Sequence, residues 1–144
     1  MTFTVIGTPG PQGSTRHVGR GIMVESSKLV KPWREAVKMA AREEMARLGL
    51  TAPAISGPVL MQVKFFLPRP KSAKVGAVPA SRPDLSKLLR STEDAMTEAG
   101  VWEDDGRVID CHPVKLYTGD GLDVPGAIIH VRRLYAVSMG VFCT

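Results

Sequence analysis

The chain has 144 residues, 44% of them hydrophobic and 23% charged, a balance that argues against wholesale disorder and for an ordinary globular core. That length most simply makes one domain, residues 1–144, able to bury a core without disulfides or a structural metal. With 19 Lys+Arg against 14 Asp+Glu and a formal charge of +5, the chain is biased towards anionic partners, nucleic acid among them. No apolar run approaches the roughly 20 residues of a membrane helix. The opening "MTFTVIGTPGPQG" has no charged leader, so a cytoplasmic protein with no membrane partner is expected. Cys111 and Cys143 show no CxxC spacing and are expected as free thiols.

In chain order, "FTVIGT" alternates bulky and β-branched residues and predicts a first strand, closed by "PGPQGS". "GIMVE" predicts a short second strand. A helix is predicted from near Lys31, with Pro32 in its first turn, on an apolar stripe of Trp33, Val37, Ala40, Ala41, Met45 and Leu48, and ending at Gly49. "PVLMQVKFFL" has the near-continuous apolar character of a mainly buried strand. "PRPKSAKVGAVPASRP" is too long and too cationic for a tight turn and is expected as an exposed functional loop. Leu85, Leu88, Leu89, Thr92, Ala95, Met96 and Ala99 then form a helical stripe, with Gly100 as its C-terminal stop. "RVIDCHPVKLY" predicts a strand interrupted at Pro113, and "GAIIHVRRL" a further strand. The tail "YAVSMGVFCT" has no clear assignment. The expected order, β(β)αβαββ, makes an α+β fold: a small mixed sheet with two main helices packed on it.

Charge is unevenly spread. No acid occurs between Met45 and Pro83, whereas Asp84, Glu93, Asp94, Glu98, Glu103, Asp104, Asp105 and Asp110 crowd into the next stretch. Each has an ordinary explanation: Asp84 as a helix N-cap, Asp94 and Glu98 on a solvated helix face, Asp104 and Asp105 before Gly106 in a turn. The arrangement says more. Packing the helix on the following strand is expected to bring Asp84 and Asp105 together. Hard divalent ions take carboxylate oxygens, and phosphoryl transfer to water uses such an ion. A cationic loop directly before Asp84 would carry a phosphate backbone to it. This combination points towards a metal-dependent nuclease.

The stretch "RPDLSKLLRSTEDAMTEAGVWEDDGRVID" resembles the core motif of RusA-type Holliday-junction resolvases, found in phages and prophages. The family pattern is approximately R/K-x-D-L-D-N-L-x-K-A-x-x-D-A-L, a Gly-hydrophobic-aromatic turn, D-D and V-V-D. Here it runs Arg82, Asp84-Leu85, Leu88, Arg90, Asp94-Ala95-Met96, Ala99-Gly100-Val101-Trp102, Asp104-Asp105 and Val108-Ile109-Asp110, with Lys115 beyond. "TVIGTPGPQGSTR" is similar to the family's proline-rich, basic first loop. The resemblance implies a small RusA-like fold and a homodimeric endodeoxyribonuclease of bacterial or phage origin. Such an enzyme nicks opposing strands of a four-way DNA junction in recombination and repair, with Mg²⁺ as cofactor and Mn²⁺ as an alternative. It carries over Asp84 and Asp105 as metal ligands, Asp94 as the family's helical Asp, and Arg90 at its catalytic Lys. A two-fold junction suits a C₂ dimer.

One position departs from the pattern. The family's second Asp, two residues after the first, is Ser86 here, and the next Asn is Lys87. Three explanations stay open: a protein that binds junctions without cutting them; a site for which Asp84, Asp94 and Asp105 suffice; or a replacement carboxylate from Glu93. The expectation is a working site on Asp84 and Asp105, with Asp94 first and Glu93 second as the supplement. Seven residues of helix, about 10 Å of rise, separate Ser86 from Glu93. Arg90, always charged and able to fork onto phosphate, is assigned phosphate stabilisation rather than proton transfer.

Arg16, Arg20, Arg69, Lys71, Lys74, Arg82, Lys87 and Lys115 are the cations expected along the DNA, chiefly at phosphates. "CHP" at residues 111–113 has no partner pair for zinc, and "GDGLD" lacks the length of a calcium loop. Trp33 and Trp102 are expected in packing rather than base stacking. The rival readings are a non-catalytic branched-DNA-binding module and a nuclease selective for flaps or forks.

Overall fold

The computed structural model describes residues 1–13, 15–17, 19, 23–25 and 27–135. Its elements are β1 (Thr2–Ile6), β2 (Thr15–His17), β3 (Met23–Glu25), α1 (Val30–Arg47), β4 (Val59–Leu67), α2 (Leu85–Ala99), a 3₁₀ turn (Asp105–Arg107), β5 (Val108–Tyr117) and β6 (Gly126–Arg133). β1, β6, β4 and β5 form one mixed sheet in that order, and β2 and β3 pair as a separate ribbon. The chain is therefore α+β, with a mixed sheet and two helices, as the patterning predicts.

β4 lies inside the sheet because both of its edges are used, antiparallel to β6 and parallel to β5. Central placement explains its apolar run: Met61, Val63 and Phe65 are fully buried, as is Phe66, which points to the opposite face. The helices cover the Met61–Val63–Phe65 face with Trp33, Val37, Ala41, Leu88, Ala95 and Met96 in one core. The Trp33 and Phe65 rings meet tilted at 6.3 Å, and the buried Trp33 indole donates to the Thr92 hydroxyl at 3.0 Å. That bond explains why a threonine is tolerated on the apolar stripe of α2, since a buried indole N–H needs an acceptor. Leu48, predicted on the α1 stripe, is instead the C-cap of that helix and 44% exposed.

Two predictions for the strands change. Pro113 does not interrupt β5, which pairs continuously with β4 from Leu60–Asp110 to Leu67–Tyr117. β5 is an edge strand, where a residue without an N–H costs no ladder bond if that side faces outward. β2, read as part of a basic loop, is a three-residue strand, too short and polar to leave a period-2 signal. The tail beyond Tyr135 lies outside the described residues, apart from which no helix is long and apolar enough to cross a membrane.

Candidate active site

The connection β4–α2–β5 is a parallel crossover, so α2 runs back antiparallel to the strands it joins. Its first residue lies near the ends of β4 and β5, and its last near the start of β5. This decides where the acids go.

Asp84 is the N-cap of α2 in extended conformation, but its carboxylate makes no capping hydrogen bond. The ordinary explanation for Asp84 is thus not realised. The side chain is 55% exposed, with Lys87 at 3.7 Å, an exposed pair of little energetic weight. It borders a cleft of about 830 Å³ whose walls include Pro9, Pro11, Arg82, Lys87 and Tyr117. One wall is the opening loop, held on α2 by Gln12 N donating to the Lys87 carbonyl at 3.0 Å. The Ser91 hydroxyl adds a bond to the Gly10 carbonyl at 2.6 Å. Gly10 is needed there, because a Cβ would lie 2.4 Å from the Leu29 carbonyl oxygen.

The cations near Asp84 divide into two kinds. Lys115 Nζ donates to the Ser81 and Pro83 carbonyls at 2.7 and 2.9 Å, so it braces the segment that delivers Asp84. Arg69 donates to the Thr118 and Lys74 carbonyls and pairs with Asp120 at 3.1 Å. Its guanidinium also lies over the Tyr117 ring. Both are among the cations expected along DNA, and both are engaged here as struts of the 68–84 loop. Lys71, Lys74, Arg82 and Arg90 are exposed, and the Arg90 guanidinium lies beside Gly13. Arg16 falls on β2; Arg20 lies outside the described residues.

Asp105 is elsewhere. It opens the 3₁₀ turn after α2 and accepts a hydrogen bond from the Thr97 hydroxyl. Thr97 lies thirteen residues along α2 from Asp84, about 20 Å of helical rise. Side chains cannot close that distance, so the expected meeting of Asp84 and Asp105 within one chain does not occur. The helix turns its start and the following strand's start to opposite ends of the molecule.

Glu93 is the acid that joins Asp105. Burial pushes its carboxyl up to about 7, and the charges of Asp105 and then Asp94 add to the rise. Burial also lifts the Cys111 thiol to about 11, with Glu93 and Asp110 contributing, which favours its protonated form at neutral pH. Asp94 turns the other way and accepts from Gln12 Nε2 at 2.6 Å. Glu93 thus lies beside Asp105, and Asp94 is tied to the opening loop. Among the described residues no group of three or more metal-ligating side chains forms. A mutually repelling Glu93–Asp105 pair still fits a hard cation of the Mg²⁺ type, which takes one or two carboxylates and completes its shell with water and phosphate.

Residues 6–131 match the family model described as Endodeoxyribonuclease RusA. The chain belongs to the RusA endodeoxyribonuclease family. As a family member it is a nuclease, a hydrolase of DNA phosphodiesters, and the resemblance seen in the Arg82–Lys115 motif extends over most of the chain. It is also similar to "Uncharacterized protein YqaN" of Bacillus subtilis (strain 168), with 30% identity over 151 residues covering 94% of this chain and 98% of that protein. In this RusA-family chain the motif acids thus occupy two places, Asp84 at the head of α2 and Glu93 with Asp105 towards its end. Thr97, which donates to Asp105, and Gln12, which donates to Asp94, carry no signal in sequence beyond ordinary helix and turn positions.

Proposed function

We propose that the chain resolves four-way DNA junctions by paired nicks during recombination and repair, as a homodimer using Mg²⁺ or, alternatively, Mn²⁺. The observation that carries this reading is the separation of Asp84 from Asp105 in a chain whose family cuts DNA. A two-fold axis that sets α2 of one protomer against α2 of the other places Asp84 beside the partner's Glu93 and the partner's Asp105. Each half of the dimer then has three carboxylates. Glu93 supplies the one that Ser86 lacks, across the interface rather than along its own helix.

In this arrangement Asp84, Glu93 and Asp105 would hold the ion, which would supply Lewis-acid polarisation of the scissile phosphate and a more acidic water. Lys71, Lys74, Arg82 and Lys87 neutralise backbone phosphates, joined in this by Arg16 and Arg20. Arg90 forks onto a phosphate near Asp84 and stabilises the charge that develops there. The cleft beside Asp84 receives the strand, its proline walls fixed by the Lys115 and Arg69 struts. Two equivalent sites match the two-fold symmetry of a junction.

Cleavage of a labelled mobile junction, with Mg²⁺ and with EDTA, tests the reading. Wild type is expected to give metal-dependent paired nicks, lost in Asp84→Asn and in Asp105→Asn. Ser86 favours one alternative, a junction-binding protein without cleavage. Tight junction binding with no nicks in Mg²⁺ or Mn²⁺ would establish that alternative.

A further inference from the structure

Two polar groups behind Asp105 form a chain with it that has one consistent proton assignment. The Trp102 indole, 1% exposed, donates to the Thr97 hydroxyl oxygen at 2.7 Å. An indole nitrogen is only a donor, so this bond uses the Thr97 oxygen as acceptor. The hydroxyl has one proton left to give and two acceptors in reach, the Glu93 carbonyl at 3.1 Å and the Asp105 carboxylate. A charged acceptor makes the stronger bond, so the Thr97 hydroxyl donates to Asp105 Oδ1. Among the described residues Asp105 Oδ2 accepts no hydrogen bond, and this leaves it as the oxygen available to a ligand.

Thr97 occupies a helix position where a hydroxyl is otherwise slightly unfavourable, since back-bonding to the i−4 carbonyl competes with helical geometry. Trp102 spends its only polar group on that hydroxyl although it lies in the core. Thr92 meets the same need for the buried Trp33 indole, but only the Thr97 hydroxyl also reaches a carboxylate, that of Asp105.

We infer that Thr97, backed by Trp102, is a positioning residue that fixes the Asp105 carboxylate so that Oδ2 faces a divalent cation. The inference rests on the reading of Asp105 as a metal ligand. It assigns no proton transfer to Thr97, only the selection of one carboxylate orientation from the several that an exposed turn allows. Hydrogen-bond partners behind a ligand typically change metal affinity by about 10–100-fold when removed.

The test uses the intact protein and Mn²⁺ as the probe, with free Mn²⁺ followed by electron paramagnetic resonance alongside junction cleavage. Thr97→Val keeps the shape and removes the hydroxyl; Thr97→Ser restores it. The expected result is Mn²⁺ binding weakened about tenfold or more in Thr97→Val. The Mg²⁺ midpoint for cleavage is expected to rise by a similar factor, while junction binding in EDTA stays unchanged and Thr97→Ser behaves as wild type. Trp102→Phe, which removes the donor along with part of the buried ring system, is expected to shift the midpoint in the same direction and serves if Thr97→Val fails to fold. Wild-type Mn²⁺ affinity in Thr97→Val, or in Trp102→Phe where that variant has to serve, with Asp105→Asn impaired, overturns the positioning role and leaves the site intact. Wild-type Mn²⁺ affinity in Asp105→Asn overturns the site itself.

Discussion

Gln12 Nε2 donates to Asp94 Oδ2 at 2.6 Å, joining the opening loop to the middle of α2 across 82 residues of sequence. Arg34 donates in turn to Gln12 Oε1 at 3.4 Å and pairs with Glu98. One amide thus ties the loop to both helices. Gln12→Leu removes the donor and leaves the half-buried Asp94 carboxylate without it. A charge-assisted hydrogen bond contributes about 1.5–3 kcal/mol, and a loss in that range is expected in urea unfolding. Because the same loop leads to Arg16, weaker junction binding is expected alongside it.

Glu93 links stability to pH. Its folded-state value is raised from 4.5 to about 7, so protonated Glu93 is the form that the fold accepts. The stability it contributes is complete below about pH 4.5 and is lost as pH rises through about 7. Glu93→Gln mimics the protonated form at every pH. Its melting temperature is expected to match wild type near pH 4.5, to exceed it increasingly up to pH 7, and to keep that lead at pH 8. Thermal melts across that range, in EDTA, check the sign.

The two classes of cation separate in salt. Lys71 and Lys74 are exposed on the 68–84 loop, and each phosphate contact contributes about 0.9 to the slope of log affinity against log salt. Lys71→Ala/Lys74→Ala is expected to reduce that slope by about 1.8 without changing the melting temperature. Lys115→Met removes the two bonds to the Ser81 and Pro83 carbonyls. Its expected signature differs: junction cleavage falls more than junction binding, because the segment carrying Asp84 loses its brace. Fluorescence titrations at several salt concentrations, paired with single-turnover cleavage, distinguish the two.

Much of this molecule can be read from its residues, and the failures share a physical origin. α2 was legible because its stripe is uninterrupted and Gly100 ends it in a left-handed conformation, φ 85°. β4 was legible because a strand bonded on both edges is apolar throughout. Pro113 misled because pattern reading does not distinguish an edge strand from a central one. The acids misled for a related reason. Asp84 and Asp105 are close in sequence and each flanks α2, yet a helix that crosses between parallel strands holds its two ends apart. Glu93 and Asp94, adjacent in sequence, diverge by about 100° around the helix: one meets Asp105 and the other meets Gln12. Helical spacing shows that they part, but only the fold shows what each one faces.

A site shared between protomers has a consequence that a site within one chain does not. The most direct test mixes Asp84→Asn and Asp105→Asn, each expected to be inactive alone, under conditions in which subunits exchange, and measures nicking of a four-way junction in Mg²⁺. In a mixed dimer one composite site carries both substitutions and the other carries neither. The account predicts that the mixture recovers cleavage, as single nicks rather than paired ones, while each variant alone stays inactive. A mixture as inactive as its components, with subunit exchange confirmed by differently tagged chains, would contradict it.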